Sequence, residues 1–265
     1  MNRRLLLAAG CLALLAVTSG CLGIGTGPVD AERLDSDPAA AYEWESNRTA
    51  HITVQENTQF RAVLETNSTT IELYREDGFG GTNPISVESV RYRYPDGTVL
   101  TGTEIRDEGG EIRRTRDETV VELPDDAPAS GGALAFTSSG SPKRFTLPTY
   151  VEGTYEVVLP PDRRIDFPVF GQVSPRNYDA DIDEQSRVHI VWAEPVTRDT
   201  ISVRFYLQRD LYIFGGIAAL VGLVGVGGLL YYRRQIDRLR EQRREMGVDV
   251  EIRDDDDDGP PPGMR

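Results

Sequence analysis

His51 and His189 are the two imidazoles of this 265-residue chain, and imidazole is the side chain best suited to moving protons near neutral pH. Neither histidine lies in a cluster with metal-ligand spacing, so each reads as an ordinary strand residue. A shared metal or acid–base site would need the fold to bring the two together. A surface hydrolase would be marked by a pocket joining His51 or His189 to several acids. Ser138-Ser139-Gly140-Ser141 lacks the glycine frame of a nucleophile elbow and has no helical pattern after it, so it reads as a loop.

Asp179, Asp181 and Asp183 alternate along Asp179-Ala180-Asp181-Ile182-Asp183-Glu184, and hard oxygens spaced this way in a loop can converge on calcium. The sixth position, however, is Glu184 where an EF-hand turn uses glycine, and the twelfth is Ile190 where it uses glutamate. A solvated acidic loop is the better reading, and no metal or cofactor is assigned. Arg113-Arg114 with Arg116, and Arg163-Arg164, are basic islands able to hold an anion. Flanking acids such as Glu111, Asp117 and Asp166 are expected to neutralise them. Asn47-Arg48-Thr49 and Asn67-Ser68-Thr69 are glycosylation sequons, with Asn67 favoured because Thr66 to Thr70 looks like a turn. No catalytic residue emerges.

Both cysteines, Cys11 and Cys21, fall near the N-terminus, which leaves the rest of the chain without disulfides, thiol nucleophiles or thiolate metal sites. Arg3-Arg4, an apolar run from Leu5 to Val17 and the small residues Ser19-Gly20 before Cys21 make an export signal too short to span a bilayer comfortably. Ser19-Gly20-Cys21 resembles a lipobox, which implies that Cys21 becomes the lipid-modified N-terminus. Thr18 departs from the aliphatic residue usual there, and a plain cleaved signal is the alternative. Arg3-Arg4 before Leu5-Leu6-Leu7 also resembles a twin-arginine export signal, and general export reads equally well.

At the other end, Leu211 to Tyr232 carries no charge. As a helix it spans about 33 Å against about 30 Å of hydrocarbon. Arg233, Arg234, Arg238, Arg240, Arg243 and Arg244 then outnumber Asp237 and Glu241, which places this flank in the cytoplasm by the positive-inside rule. The main domain is therefore expected outside the cell. Asp254 to Asp258 and Pro260-Pro261-Pro262 read as a solvated end.

Between these segments the period is two. Ile52 with Val54, Ile71 with Leu73, Val120 to Leu123, Leu134 to Thr137, Tyr155 to Leu159 and Val188 to Trp192 read as strands. Val90, Tyr92 and Tyr94 lead through Pro95-Asp96-Gly97 into Val99 and Thr101, the clearest hairpin. Ile201 to Leu207 forms one amphipathic strand leading into the membrane helix. The expected fold class is all-β, with one or two immunoglobulin-like sandwich units outside the membrane plus a single C-terminal transmembrane α-helix. The boundaries run 1–20 for the signal, 21–38 for a tether, 39–124 and 133–210 for β-rich units, 211–232 for the membrane helix and 233–265 for a charged cytoplasmic tail. One larger unit, with 124–132 as a long loop, remains open.

The chain has 43 acidic against 29 basic residues, for a formal charge of −14, and Lys143 is its single lysine. Such an excess disfavours nucleic acid as a partner, because like charges repel. This balance resembles that of haloarchaeal proteins, which work in molar salt. Export signal, composition and layout together resemble haloarchaeal lipoprotein-like, membrane-anchored surface proteins, many of uncharacterised function. The uncharged C-terminal run and Cys21 make the lipid bilayer the expected partner, a protein partner at the cell surface or in the membrane stays open, and the resemblance brings no catalytic residue. A non-enzymatic binding or structural module is the leading expectation. A sensor or accessory subunit acting through its tail is the alternative, and a surface hydrolase comes last.

Overall fold

Alternating apolar and polar residues give each strand one face for a core and one for solvent, and that rule organises the ladders of this chain. A computed structural model describes residues 26–128, 130–197, 200–245 and 247. The export signal, Cys21 and the acidic end lie outside the described residues. The first described elements are β1 (Gly27–Pro28) and the helix α1 (Ala31–Asp35), capped by Asp30, whose carboxylate accepts from Glu32 N at 2.9 Å. Next come β2 (Ala50–Val54), β3 (Gln59–Glu65), β4 (Thr70–Glu76) and β5 (Thr82–Pro84). The expected hairpin is β6 (Glu88–Arg93) and β7 (Val99–Thr101), with Gly97 at a φ of 92° in the turn. Thr101-x-x-Glu104 forms a reciprocal capping box that starts α2 (Gly102–Asp107).

After α2 come β8 (Glu111–Arg114), β9 (Thr119–Glu122), β10 (Ala133–Ser139), β11 (Arg144–Pro148) and β12 (Gly153–Val158). Then follow β13 (Arg163–Arg164), β14 (Gln172–Ser174), β15 (Asp179–Ile182) and β16 (Val188–Val196). β17 (Thr200–Arg204) and β18 (Tyr206–Leu207) precede the 38-residue helix α3 (Gln208–Glu245). The stretch from Ile201 to Leu207 is thus two strands in different sheets. β17 pairs with β11 and β14, whereas β18 pairs with β13.

The largest sheet has eight strands in the order β15-β16-β12-β2-β3-β10-β6-β7. Beside it are a five-stranded sheet, β1-β8-β9-β4-β5, and a three-stranded one, β11-β17-β14. β12 runs parallel to β2, while the neighbouring ladders of β12 with β16 and β2 with β3 are antiparallel. One buried cluster draws Trp192 and Phe136 from the eight-stranded sheet, Leu73 and Ile112 from the five-stranded sheet, and Phe145 and Val203 from the three-stranded sheet. Such a shared apolar interior is the main stabilising term available to a fold of this kind.

The described residues up to Gln208 form one compact unit, and the second begins at Arg209. β10, which follows the proline-rich stretch 124–132, pairs with β3 on one side and β6 on the other, both from before that stretch. Of the two arrangements open from sequence, one unit is observed. The expected tether is also folded from Gly27 onward. Leu34 is fully buried, β1 pairs with β8, and the Arg91 guanidinium donates to the carbonyls of Leu34, Asp35 and Ser36. Low apolar content suggested a loose chain here, but a single leucine in a closed pocket and side-chain bonds to its backbone hold it. The described chain is mostly β-sheet followed by one long apolar helix.

Candidate functional site

In β2, Ala50, Ile52 and Val54 are buried in the core, which puts His51 and Thr53 on the opposite face. Tyr155 and Val157 do the same for Glu156 in β12, and Val188, Ile190 and Trp192 do it for His189 in β16. β12 lies between β2 and β16 and sets Glu156 opposite His51. Period-two alternation and strand order therefore place three polar side chains together on the face turned from the core.

They form a continuous polar row. The Glu156 carboxylate bridges both rings, with His51 Nδ1 at 3.2 Å from Oε2 and His189 Nδ1 at 2.8 Å from Oε1. Each outer ring nitrogen meets a further carboxylate. His51 Nε2 is 3.1 Å from Glu43 Oε2, and His189 Nε2 is 3.1 Å from Asp183 Oδ2. Asp183 also accepts from Arg187 Nε at 2.7 Å and from the Arg187 backbone N–H at 2.8 Å. Thr53 Oγ1 lies 3.4 Å from His51 Nε2, longer than the Glu43 contact at the same nitrogen.

A strap formed by residues 40–48 covers this end of the sheet. Tyr42 donates to Ser89 O at 2.7 Å, and Arg61 donates to the carbonyls of Ala40 and Ala41 at 2.7 and 2.5 Å. Arg93 pairs with Glu45 at 2.8 Å and stands 5.9 Å from the Trp44 ring centre. Tyr42 joins Val63 and Ala135 in a small second apolar cluster, against which Trp44 packs. The strap leaves His51 only 5% exposed and borders a cleft of about 850 Å³, whose lining includes Trp44, Arg48, His51, Arg93, Glu156 and His189.

The row has a definite charge state at Glu156 and His189. Hydrogen bonding from His51 is the largest influence on Glu156; burial opposes it, but with His189 added the pKa falls to about 2. For His189, burial pulls downward. Bonds to Glu156 and Asp183, with their charges, outweigh it and hold the pKa above the ordinary imidazole value. Desolvation would raise Asp183, yet bonds from Arg187 and His189 hold it well below the carboxylate range. A ring flanked by two ionised carboxylates satisfies both only as imidazolium, which is the form this geometry favours at His189. Chemically the row can store a proton between fixed anions and fasten the strap, β2, β12, β16 and the turn at Asp183 to one another.

The fold thus joins His51 and His189, which the sequence left as separate strand residues, and adds Glu156 and Glu43, which it did not single out. Glu156 could have been found as the charged residue between buried Tyr155 and Val157; Glu43, on the strap, carried no such signal. Asp179 and Asp181 lie on the exposed edge strand β15 rather than in a loop, and Asp183 follows in the turn, engaged by Arg187 and His189. Among the described residues, no group of three His, Cys, Asp or Glu is arranged to hold a metal ion. Asn47 and Asn67 are both exposed on bends that precede β2 and β4. Arg113 meets Glu111 and Glu122, each at 3.4 Å. Ser138 and Ser139 end β10 rather than forming a loop.

A protein-family model described as a family of unknown function (DUF5803) matches residues 46–251, a span that includes His51, Glu156, His189 and α3. A comparison with curated proteins found no match.

Proposed function

We propose, from the premise that the chain belongs to the DUF5803 family of unknown function, that it is a non-enzymatic binding module displayed at the cell surface. Its helix α3 is long and apolar enough to cross a membrane, which suggests a membrane-associated protein. The arginines that follow Tyr232 support a cytoplasmic C-terminus and an external domain. Acidic, arginine-dominated composition and the Ser19-Gly20-Cys21 sequence support a haloarchaeal, lipoprotein-like origin. The core shared by the three larger sheets supports a sandwich of immunoglobulin type.

The observation that carries the binding reading is the occupancy of the polar row. Both nitrogens of His51 and of His189 already face carboxylates at 2.8 to 3.2 Å, so the rings serve as bridges, and the cleft beside them offers Trp44 and Arg48 as contact groups. Crosslinking in native membranes tests it. A partner recovered with the wild-type chain and lost with Trp44→Ala supports the cleft as the contact surface; equal recovery with both rejects it.

Two observations favour a hydrolytic reading: the cleft joins His51 and His189 to Glu43 and Glu156, the mark expected of a surface hydrolase, and Thr53 Oγ1, His51 and Glu156 stand in line, as a nucleophile, base and orienting acid would. The 3.4 Å reach from Thr53 and the shorter Glu43 contact weigh against it. Ester hydrolysis by the purified chain that disappears in Thr53→Ala would establish this reading over the first.

A further inference from the structure

Outside α3, the exposed large apolar side chains among the described residues are Phe79, Val99, Phe167, Val169 and Ile182. Phe167 and Val169 share one loop, residues 165–171, with exposures of 37% and 68%, and Pro168 between them is also exposed. Water is a poor place for such groups, and this loop gathers two of the five.

This loop is built rigidly. Phe167 O accepts from Phe170 N at 3.0 Å and Gly171 N at 2.7 Å. A Cβ on Gly171 would fall 2.1 Å from Ile165 O, so the loop closes on itself only with glycine there. Phe170 packs, with its ring tilted, between Phe167, with centroids 5.6 Å apart, and Tyr206, at 5.9 Å. Tyr206 in turn donates to Asp166 at 2.5 Å, and β13 pairs Arg164 with Tyr206 and Arg163 with Leu207. The loop is therefore fastened to the last strand before α3. From Tyr206, five residues of chain reach Leu211, where the uncharged stretch begins; fully extended they reach at most about 18 Å.

We infer that the 165–171 loop is a second membrane contact, which sets Phe167 and Val169 into the lipid headgroup region beside the point where the chain crosses. The short connection from Tyr206 to Leu211 keeps the loop near the bilayer, and aromatic and apolar tips on a closed turn suit its interface. The inference rests on the membrane-anchored reading above and adds a specific surface to it.

Photocrosslinking of the full chain in native membranes tests both separately. Benzoyl-phenylalanine replaces Val169, Ile182 or Leu220, and adducts are identified by mass after irradiation. Lipid adducts at positions 169 and 220, with none at 182, are expected. A lipid adduct at 220 with none at 169, or with a protein adduct there, overturns the loop contact and leaves the anchor standing. Lipid adducts at all three positions also overturn it, because the contact would not be particular to the loop. Loss of the adduct at 220 overturns the anchored reading itself.

Discussion

Glu156 is the residue on which the polar row turns, because one carboxylate serves two imidazoles on neighbouring strands. Its pH dependence has two limbs. Glu156 titrates lower in the folded protein than its ordinary 4.5, so its contribution is full above 4.5 and fades as pH falls toward about 2. His189 titrates above its ordinary 6.5, so its contribution is full below 6.5 and fades as pH rises through the raised folded value. The row should stabilise the fold most between those two ordinary values. Urea midpoints followed by fluorescence of Trp44, on the strap, and Trp192, in the core, should trace this maximum. Glu156→Gln should cost about 2 kcal/mol within that window, as expected for a half-buried charge-assisted acceptor, remove the acid limb and weaken the other, where Asp183 still holds His189. An unchanged profile in that variant would show the row to be incidental.

At the scale of elements, α1 decides whether residues 27–38 are fold or tether. Leu34 is fully buried, and its Cβ is only 2.6 Å from where a Cβ on Gly102 would lie, so α1 and the start of α2 meet through a glycine. Asp35 reinforces the joint, accepting from Thr103 N at 3.0 Å and from the Thr103 hydroxyl. Leu34→Ala should therefore cost about 3 kcal/mol, the usual range for emptying a closed apolar site, whereas the same change in a tether would cost nothing. Thr101→Ala should cost about 1 kcal/mol through loss of the capping box. Thermal melts of the two variants in one buffer measure both effects. Neither α1 nor α2 figured among the expected elements, because helices of five and six residues are too short to show a period and one leucine among polar residues carries none.

Across the whole molecule the charge of −14 leads to a prediction about salt. At about 0.01 M salt the Debye length is roughly 30 Å, so the carboxylates of one domain repel one another; at about 1 M it is roughly 3 Å. Circular dichroism of the detergent-purified chain should lose strand signal on dialysis to low salt and recover it at high salt. A spectrum indifferent to salt would remove the support for a haloarchaeal origin. Orientation is tested on intact cells. Added protease should degrade the β-rich domain and spare an epitope tag after Arg265, since moving the arginines that follow Tyr232 across hydrocarbon is costly. A tag cleaved while the cells stay sealed would reverse the orientation and end the surface reading.

What the sequence determined by itself was local. Alternation identified strands such as β2, β6, β12 and β16, Pro95-Asp96-Gly97 identified a hairpin, and the uncharged run after Asp210 identified a long apolar helix. These follow from forces acting within a few residues: pleat, turn geometry and hydropathy. Alternation placed each histidine in a strand, His51 in β2 and His189 in β16. It could not tell which strand lies beside which. Glu156 is 105 positions from His51 and 33 from His189, and only the insertion of β12 between β2 and β16 brings them within hydrogen-bond reach. The parallel pairing of β2 with β12 is a non-local event, favoured by the common core rather than by either segment. The site was decided at that step, because a carboxylate and two imidazoles become a proton-holding row only when the sheet sets them side by side.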